Sequence, residues 1–202
     1  MKRLLRISFD QFLLSFIPII SWFILSLIVD KNLINIFTLI YPIQFIYGMF
    51  KSVFSTGANI SKEKDKNENA VMSGLIIGSI VGLIVFGFIV INIDSYINFM
   101  NMDTDTYRLF GIYYVIQLYI QLVFTFILNK LYYEEKNSLA NKYSLIFNIL
   151  NFIVLIGGSL LLKNSVIVIL ITLISLLLFT IIIFIKSFDK FKLKFNILNF
   201  LN

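Results

Sequence analysis

The chain has 202 residues, of which 59% are hydrophobic and only 14% charged, with a mean hydropathy of +0.91. A soluble domain carries about 25% charged residues, so this composition selects the lipid bilayer as its solvent. There is no Cys and no His behind the net charge of +6, which excludes disulfides, thiolate nucleophiles and Cys-based zinc sites and removes the commonest general base. No phosphate-binding Gly loop and no G-x-S-x-G elbow is present. The expectation is a non-enzyme with no metal or cofactor.

The chain starts "MKRLLRISFDQFLLSFIPIISWFILSLIV", a basic segment followed by an apolar run. A signal peptide would have a shorter apolar core ending in a small-residue cleavage site, so this run reads as a retained membrane helix. A bilayer core of about 30 Å asks for about 20 apolar residues per helix. Six windows without Asp, Glu, Lys or Arg meet that length: Gln11–Val29, Asn32–Phe50, Ala70–Ile91, Leu109–Leu128, Tyr143–Leu162 and Ser165–Ile185. Backbone groups in hydrocarbon must be paired internally, so all six are expected as helices. The fold class is all-α, a polytopic membrane protein with a six-helix lobe over residues 1–186.

Orientation follows from the basic residues in the connections. The N-terminus (Lys2, Arg3, Arg6), the second loop (Lys51, Lys62, Lys64, Lys66), the fourth loop (Lys130, Lys136, Lys142) and the tail (Lys186, Lys190, Lys192, Lys194) share one side. The other side holds Lys31, Arg108 and Lys163. The positive-inside rule places both termini in the cytoplasm, with the plasma membrane as the expected location. Topology thus accounts for the positive charge, and no soluble basic face is left for nucleic acid. The tail, residues 187–202, sets Phe188, Phe191, Phe195 and Leu198 at helical spacing among lysines. It reads either as a basic amphipathic segment on the inner leaflet or as a solvated end.

The polar residues inside the spans are neutral. Gln117 and Gln121 are four apart in the fourth span, with Tyr113 on much the same face; Asn148 and Asn151 follow Ser144 in the fifth; Gln44 sits beside Pro42 in the second. Such amides do not face lipid unpaired. They act either as interhelical glue or as the lining of a substrate cavity. Pro42 is expected to kink its helix. Gly74, Gly78 and Gly82 form G-x-x-x-G-x-x-x-G along one stripe, which lets a neighbouring backbone approach closely.

The order "YPIQFIYGMF…STGANISKEKDKNENA", read as a Pro-containing helix, a cytoplasmic turn and a re-entering glycine helix, resembles the second-to-third helix connection of the multidrug and toxic compound extrusion (MATE) family. Three further stretches agree. "LLRISFDQFLLSFI" looks like the family's first helix, with Asp10 where a Pro is usual. "NFMNMDTDTYRLFGIYYVIQL" is similar to its third-to-fourth connection, and "NKYSLIFNILNFIVLIGGSLLL" to its fifth helix, with Asn151 at the family's membrane Asn. Family members have twelve helices in two lobes, so the resemblance covers the N-terminal six only, and "FDKFKLKFNILNFLN" looks like the linker to a seventh.

The resemblance implies half of a multidrug and organic-cation efflux antiporter. It would alternate access with a second six-helix lobe or a second copy, and move an amphipathic organic substrate with Na+ or H+ coupling. In that reading Gln117, Gln121, Asn148, Asn151 and Gln44 line the substrate cavity. The family's coupling Asp in the first helix falls near Ile20, Ser21 or Trp22 when Pro42 is aligned, and a second Asp of some members falls at Leu155. Coupling through this lobe therefore lacks its carboxylates. Two alternatives stand: a non-transporting remnant or membrane scaffold, which that lack supports, and a lipid-linked saccharide flippase of the same superfamily, whose cavity would want basic residues that these spans do not have.

Overall fold

The structure is a computed structural model that describes residues 17, 19–30, 35–65, 68–162 and 164–187, with side chains placed outside 54–73 and 133. Its described residues are helical, with no strand among them. In chain order the helices are α1 (Ile19–Ile28), α2 (Ile36–Asp65), α3 (Glu68–Ile91), α4 (Ile93–Phe99), α5 (Thr104–Tyr133), α6 (Asn137–Leu162) and α7 (Ser165–Ser187). Five of them, α2, α3, α5, α6 and α7, are long and apolar enough to cross a membrane, and α1 is a shorter apolar helix. The N-terminal part of the first expected span and the tail beyond Ser187 lie outside the described residues.

The polarity of the fold is inverted relative to a soluble protein. The outward face of α7 is Ile, Leu and Val, including Val166, Leu170, Ile174, Leu178 and Ile185, while Thr172 and Thr180 are buried. Both threonine hydroxyls donate back to their own helix, to Val168 O and Leu176 O, and so ask nothing of a neighbour. Gln117, Asn148 and Asn151 are likewise inside while Ile, Leu and Phe cover α3 outside. Water would reverse this arrangement and hydrocarbon favours it, so the chain is a helical membrane protein.

Three helices run well past their apolar windows, and α6 does so by starting at Asn137 instead of Tyr143. α2 does not stop at Phe50: it continues as helix through "STGANISKEKD", where the sequence reading had a cytoplasmic turn. Lys, Glu and Ala are good helix formers, and nothing but the bilayer boundary ends the apolar stretch. At 30 residues α2 is about 45 Å long against a hydrocarbon core of about 30 Å, so it projects into water. α5 begins at Thr104 instead of near Leu109, because Asp103 caps it: the Thr106 N–H donates to Asp103 Oδ2 at 3.0 Å and the Thr106 hydroxyl donates to the same oxygen. The seven-residue α4 was not foreseen. It tucks Ile93 and Ile97 inward, and the Tyr96 hydroxyl donates 2.9 Å to Leu39 O of α2.

α5 is the axis of the bundle. In the membrane-length window of α5, 67% of the residues are buried, against 28% for α2, α3 and α6 and 33% for α7. α2 and α3 pack on one side of it, and α6 and α7 form a hairpin on the other. Gly82 of the glycine stripe marks a close approach of α3 to α5. Gly74, Gly78 and Gly82 are all buried, and a Cβ built on Gly82 would lie 2.8 Å from Leu122 Cδ2 of α5. At Gly82, then, the neighbour lies in the same chain, and the surface is already occupied. Opposite, Phe124 of α5 stacks on Phe147 of α6 with ring centroids 4.6 Å apart, and Phe179 of α7 leans on both.

Candidate functional site: a cavity along the central helix

The inward stripes of α2, α5 and α6 do not close on one another. They leave a cavity of about 630 Å³, within the range of small-molecule sites. Each wall follows its helical period. α2 contributes Phe37, Ile40, Gln44, Tyr47 and Lys51; α6 contributes Ser144, Asn148, Asn151 and Leu155. α5 lines it from Tyr113 to Tyr132, about 28 Å of helix axis. Trp22 and Ser21 of α1 complete one end.

That end is shut. Trp22 meets Phe110, Tyr113 and Tyr114 edge-on, with ring centroids 6.0–6.3 Å apart, and Tyr113 has no exposed surface. The Tyr113 hydroxyl donates 2.6 Å to Asn151 Oδ1. Tyr132 and Lys51 at the far end are exposed, as are Ile19 and Gln44 along the wall, so the cavity opens toward the α2 extension and the α5–α6 turn.

All five amides singled out in the sequence line this one cavity: Gln44, Gln117, Gln121, Asn148 and Asn151. Their hydrogen bonds separate the two roles left open for them. Asn151 does act as glue, through Tyr113. Asn148 Nδ2 donates 2.9 Å to Ser144 O, one turn back in its own helix. Gln117 and Gln121 make no side-chain hydrogen bond among the described residues, though Gln117 is buried. Their amides therefore present donors and acceptors to whatever fills the cavity. Nearer the mouth, Thr125 Oγ1 donates 2.8 Å to Gln121 O, so in the 3.3 Å contact with Tyr47 it is the tyrosine that donates.

Lys51 was missed. Composition placed it in a loop because the uncharged window ended one residue earlier. The signal was in the spacing: 37, 40, 44, 47 and 51 continue one helical stripe, and the charge sits on the stripe's last visible turn. Pro42 lies inside α2 and is exposed, away from the cavity wall. Gln44 is also exposed and belongs to two surfaces, because a shallow groove of about 550 Å³ runs outside α2 past Tyr41, Gln44, Phe45, Gly48, Met49 and Ser52. Among the described residues no group of three or more acidic, His or Cys side chains could hold a metal ion.

Compared with family models, with curated proteins and with solved structures, the chain matches none.

Proposed function

We propose that the chain is one six-helix lobe of a MATE-like multidrug efflux transporter. It sits in the plasma membrane with both termini cytoplasmic and alternates access together with a second lobe or a second copy. The observation that carries this reading is the cavity itself: amides from three helices converge on it, one end is shut by an aromatic cluster, and the other end is open. A membrane scaffold would have no use for two cavity-facing glutamines with no side-chain hydrogen bond among the described residues, since such groups are costly in hydrocarbon unless water or a ligand meets them.

The outward groove of α2 supports the second half of the proposal. The described outward face of α7 is almost purely aliphatic and suits lipid, whereas that of α2 carries Gln44, Gly48 and Ser52 between Tyr41, Phe45 and Met49. Gly48 has nothing within 4 Å of its would-be Cβ, so another helix has room to approach there. Lobes related by an axis along the membrane normal must each have an even number of spans, which six spans satisfy.

The test is efflux of fluorescent amphipathic substrates from cells or vesicles holding the chain alone, and the chain with a candidate second lobe. Gln117→Leu with Asn151→Leu should abolish efflux while the protein stays folded in the membrane. Unchanged efflux by that double variant would sink the assignment of the cavity, and no efflux under any pairing would leave the scaffold reading.

A further inference from the structure

The charge of the cavity wall bears on what the proposed transporter would carry, and this step rests on the cavity being its substrate site. Among the described lining residues Lys51 is the one charged group, and no carboxylate is present. The other polar lining groups are carboxamides and hydroxyls. A permanent organic cation entering here would shed water, meet no counter-anion and pass a positive charge at the mouth. A cation–π site would need an open aromatic face, and at the shut end Trp22, Phe110, Tyr113 and Tyr114 are packed against one another and offer none.

We propose that the cavity takes amphipathic anions, with a carboxylate, sulfonate or phosphate head against Lys51 and an apolar, hydrogen-bonding body among Tyr47, Gln117 and Gln121, and that it disfavours organic cations. This departs from the organic-cation substrates that the MATE resemblance implies. The carboxamide N–H groups of Gln117 and Gln121 and the hydroxyl of Tyr47 suit acceptor-rich molecules. Lys51 near the mouth selects by sign, as a point charge in a partly wetted site does.

Trp22 is the chain's only tryptophan and lines the cavity, so its emission reports on occupancy. The experiment places the full chain in phosphatidylcholine nanodiscs held by a tryptophan-free scaffold protein and titrates two probes that share one ring system, 1-pyrenesulfonate and 1-pyrenylmethylammonium. The readout is the saturable part of the energy transfer from Trp22. The sulfonate should half-saturate at a concentration at least about tenfold lower than the ammonium. Lys51→Gln should remove most of that gap and Lys51→Glu should reverse it; Lys51 is exposed, so both variants should fold, which circular dichroism checks.

Equal or tighter binding of the ammonium by the native chain overturns the charge preference and leaves the transport reading standing. A sulfonate preference that survives Lys51→Glu also overturns it, and assigns Lys51 to the lipid headgroups. No saturable transfer with either probe overturns both readings. Adding phosphatidylglycerol to the nanodiscs separates the sources of the anion. Loss of the sulfonate signal supports a lipid headgroup as occupant, and an unchanged signal supports a water-borne amphipath.

Discussion

The Tyr113 hydroxyl and Asn151 Oδ1 meet at 2.6 Å, with both residues buried, and so tie α5 to α6 at the shut end of the cavity. Asn151→Leu leaves the tyrosine hydroxyl unpaired in a dry site, and Tyr113→Phe leaves the amide partly unpaired. Each should destabilise the protein by about 1 kcal/mol, with the double variant no worse than the poorer single one. A double-mutant cycle read by unfolding in mixed detergent micelles measures the coupling; strict additivity would mean that the bond contributes nothing.

Gly82 and Gly87 make a matched pair on α3. A Cβ on Gly82 meets Leu122 Cδ2 at 2.8 Å, and Leu122 is fully buried, whereas a Cβ on Gly87 meets nothing within 4 Å. Gly82→Ala should cost about 1–3 kcal/mol by overpacking. Gly87→Ala should be neutral or stabilise by up to about 1 kcal/mol through helix propensity. Thermal unfolding of the two variants side by side tests the prediction, and equal behaviour would contradict the close approach of α3 to α5.

Phe147 is fully buried between Phe124 and Phe179, where three helices join. In a water-soluble core Phe→Ala costs about 3–5 kcal/mol. Here the separated helices would rest in lipid as apolar as the protein interior, so the transfer part of that cost falls away and the packing part stays. Phe147→Ala should cost about 2 kcal/mol. A loss of the full soluble-protein size would show that the residue is compared with water on unfolding, not with lipid.

Asp103 lies outside the membrane-spanning segments, and the Thr106 hydroxyl and N–H together hold its carboxyl below the ordinary value of 3.8. A depressed value in the folded state means that the ionised form is favoured there. The cap's contribution is therefore complete above that ordinary value and is lost as pH falls through the depressed one. Between pH 7 and 5 the Asp103 cap should lose nothing, and its contribution to stability should fall only below about pH 4. Asp103→Asn should keep the cap and flatten the acid limb, whereas Asp103→Ala should lower stability at neutral pH. Circular dichroism melts across pH distinguish the three proteins.

How much of this was legible in the sequence depended on where polar residues stood. In α3 the faces toward lipid and toward protein are both largely Ile, Leu and Val, so side-chain hydropathy does not separate inside from outside, and in α7 only Thr172 and Thr180 mark the inner face. The exceptions carried the information: Gly74, Gly78 and Gly82 marked the packed side of α3, and Gln117, Gln121, Asn148 and Asn151 marked the cavity sides of α5 and α6. What stayed hidden was of two kinds. α4 is too short for an apolar window to register. Lys51 falls outside any uncharged window, which ends at the first charge, although the helix does not end there. Hydropathy finds the edge of the bilayer, while helix propensity and capping find the edge of the helix, and in α2 the two edges lie far apart.

The unbroken run of α2 from Gln44 to Asp65 has a mechanical consequence. Those turns form a stiff rod of about 32 Å with one end in the cavity wall and the other in water. A tilt of about 10° at Gln44 would swing the distal end by about 5–6 Å by simple geometry on that length. A displacement too small to follow at the cavity is thus magnified at an end that a probe can reach. Helix α2 is a built-in lever, and its aqueous tip is the natural pointer for any rocking of the bundle.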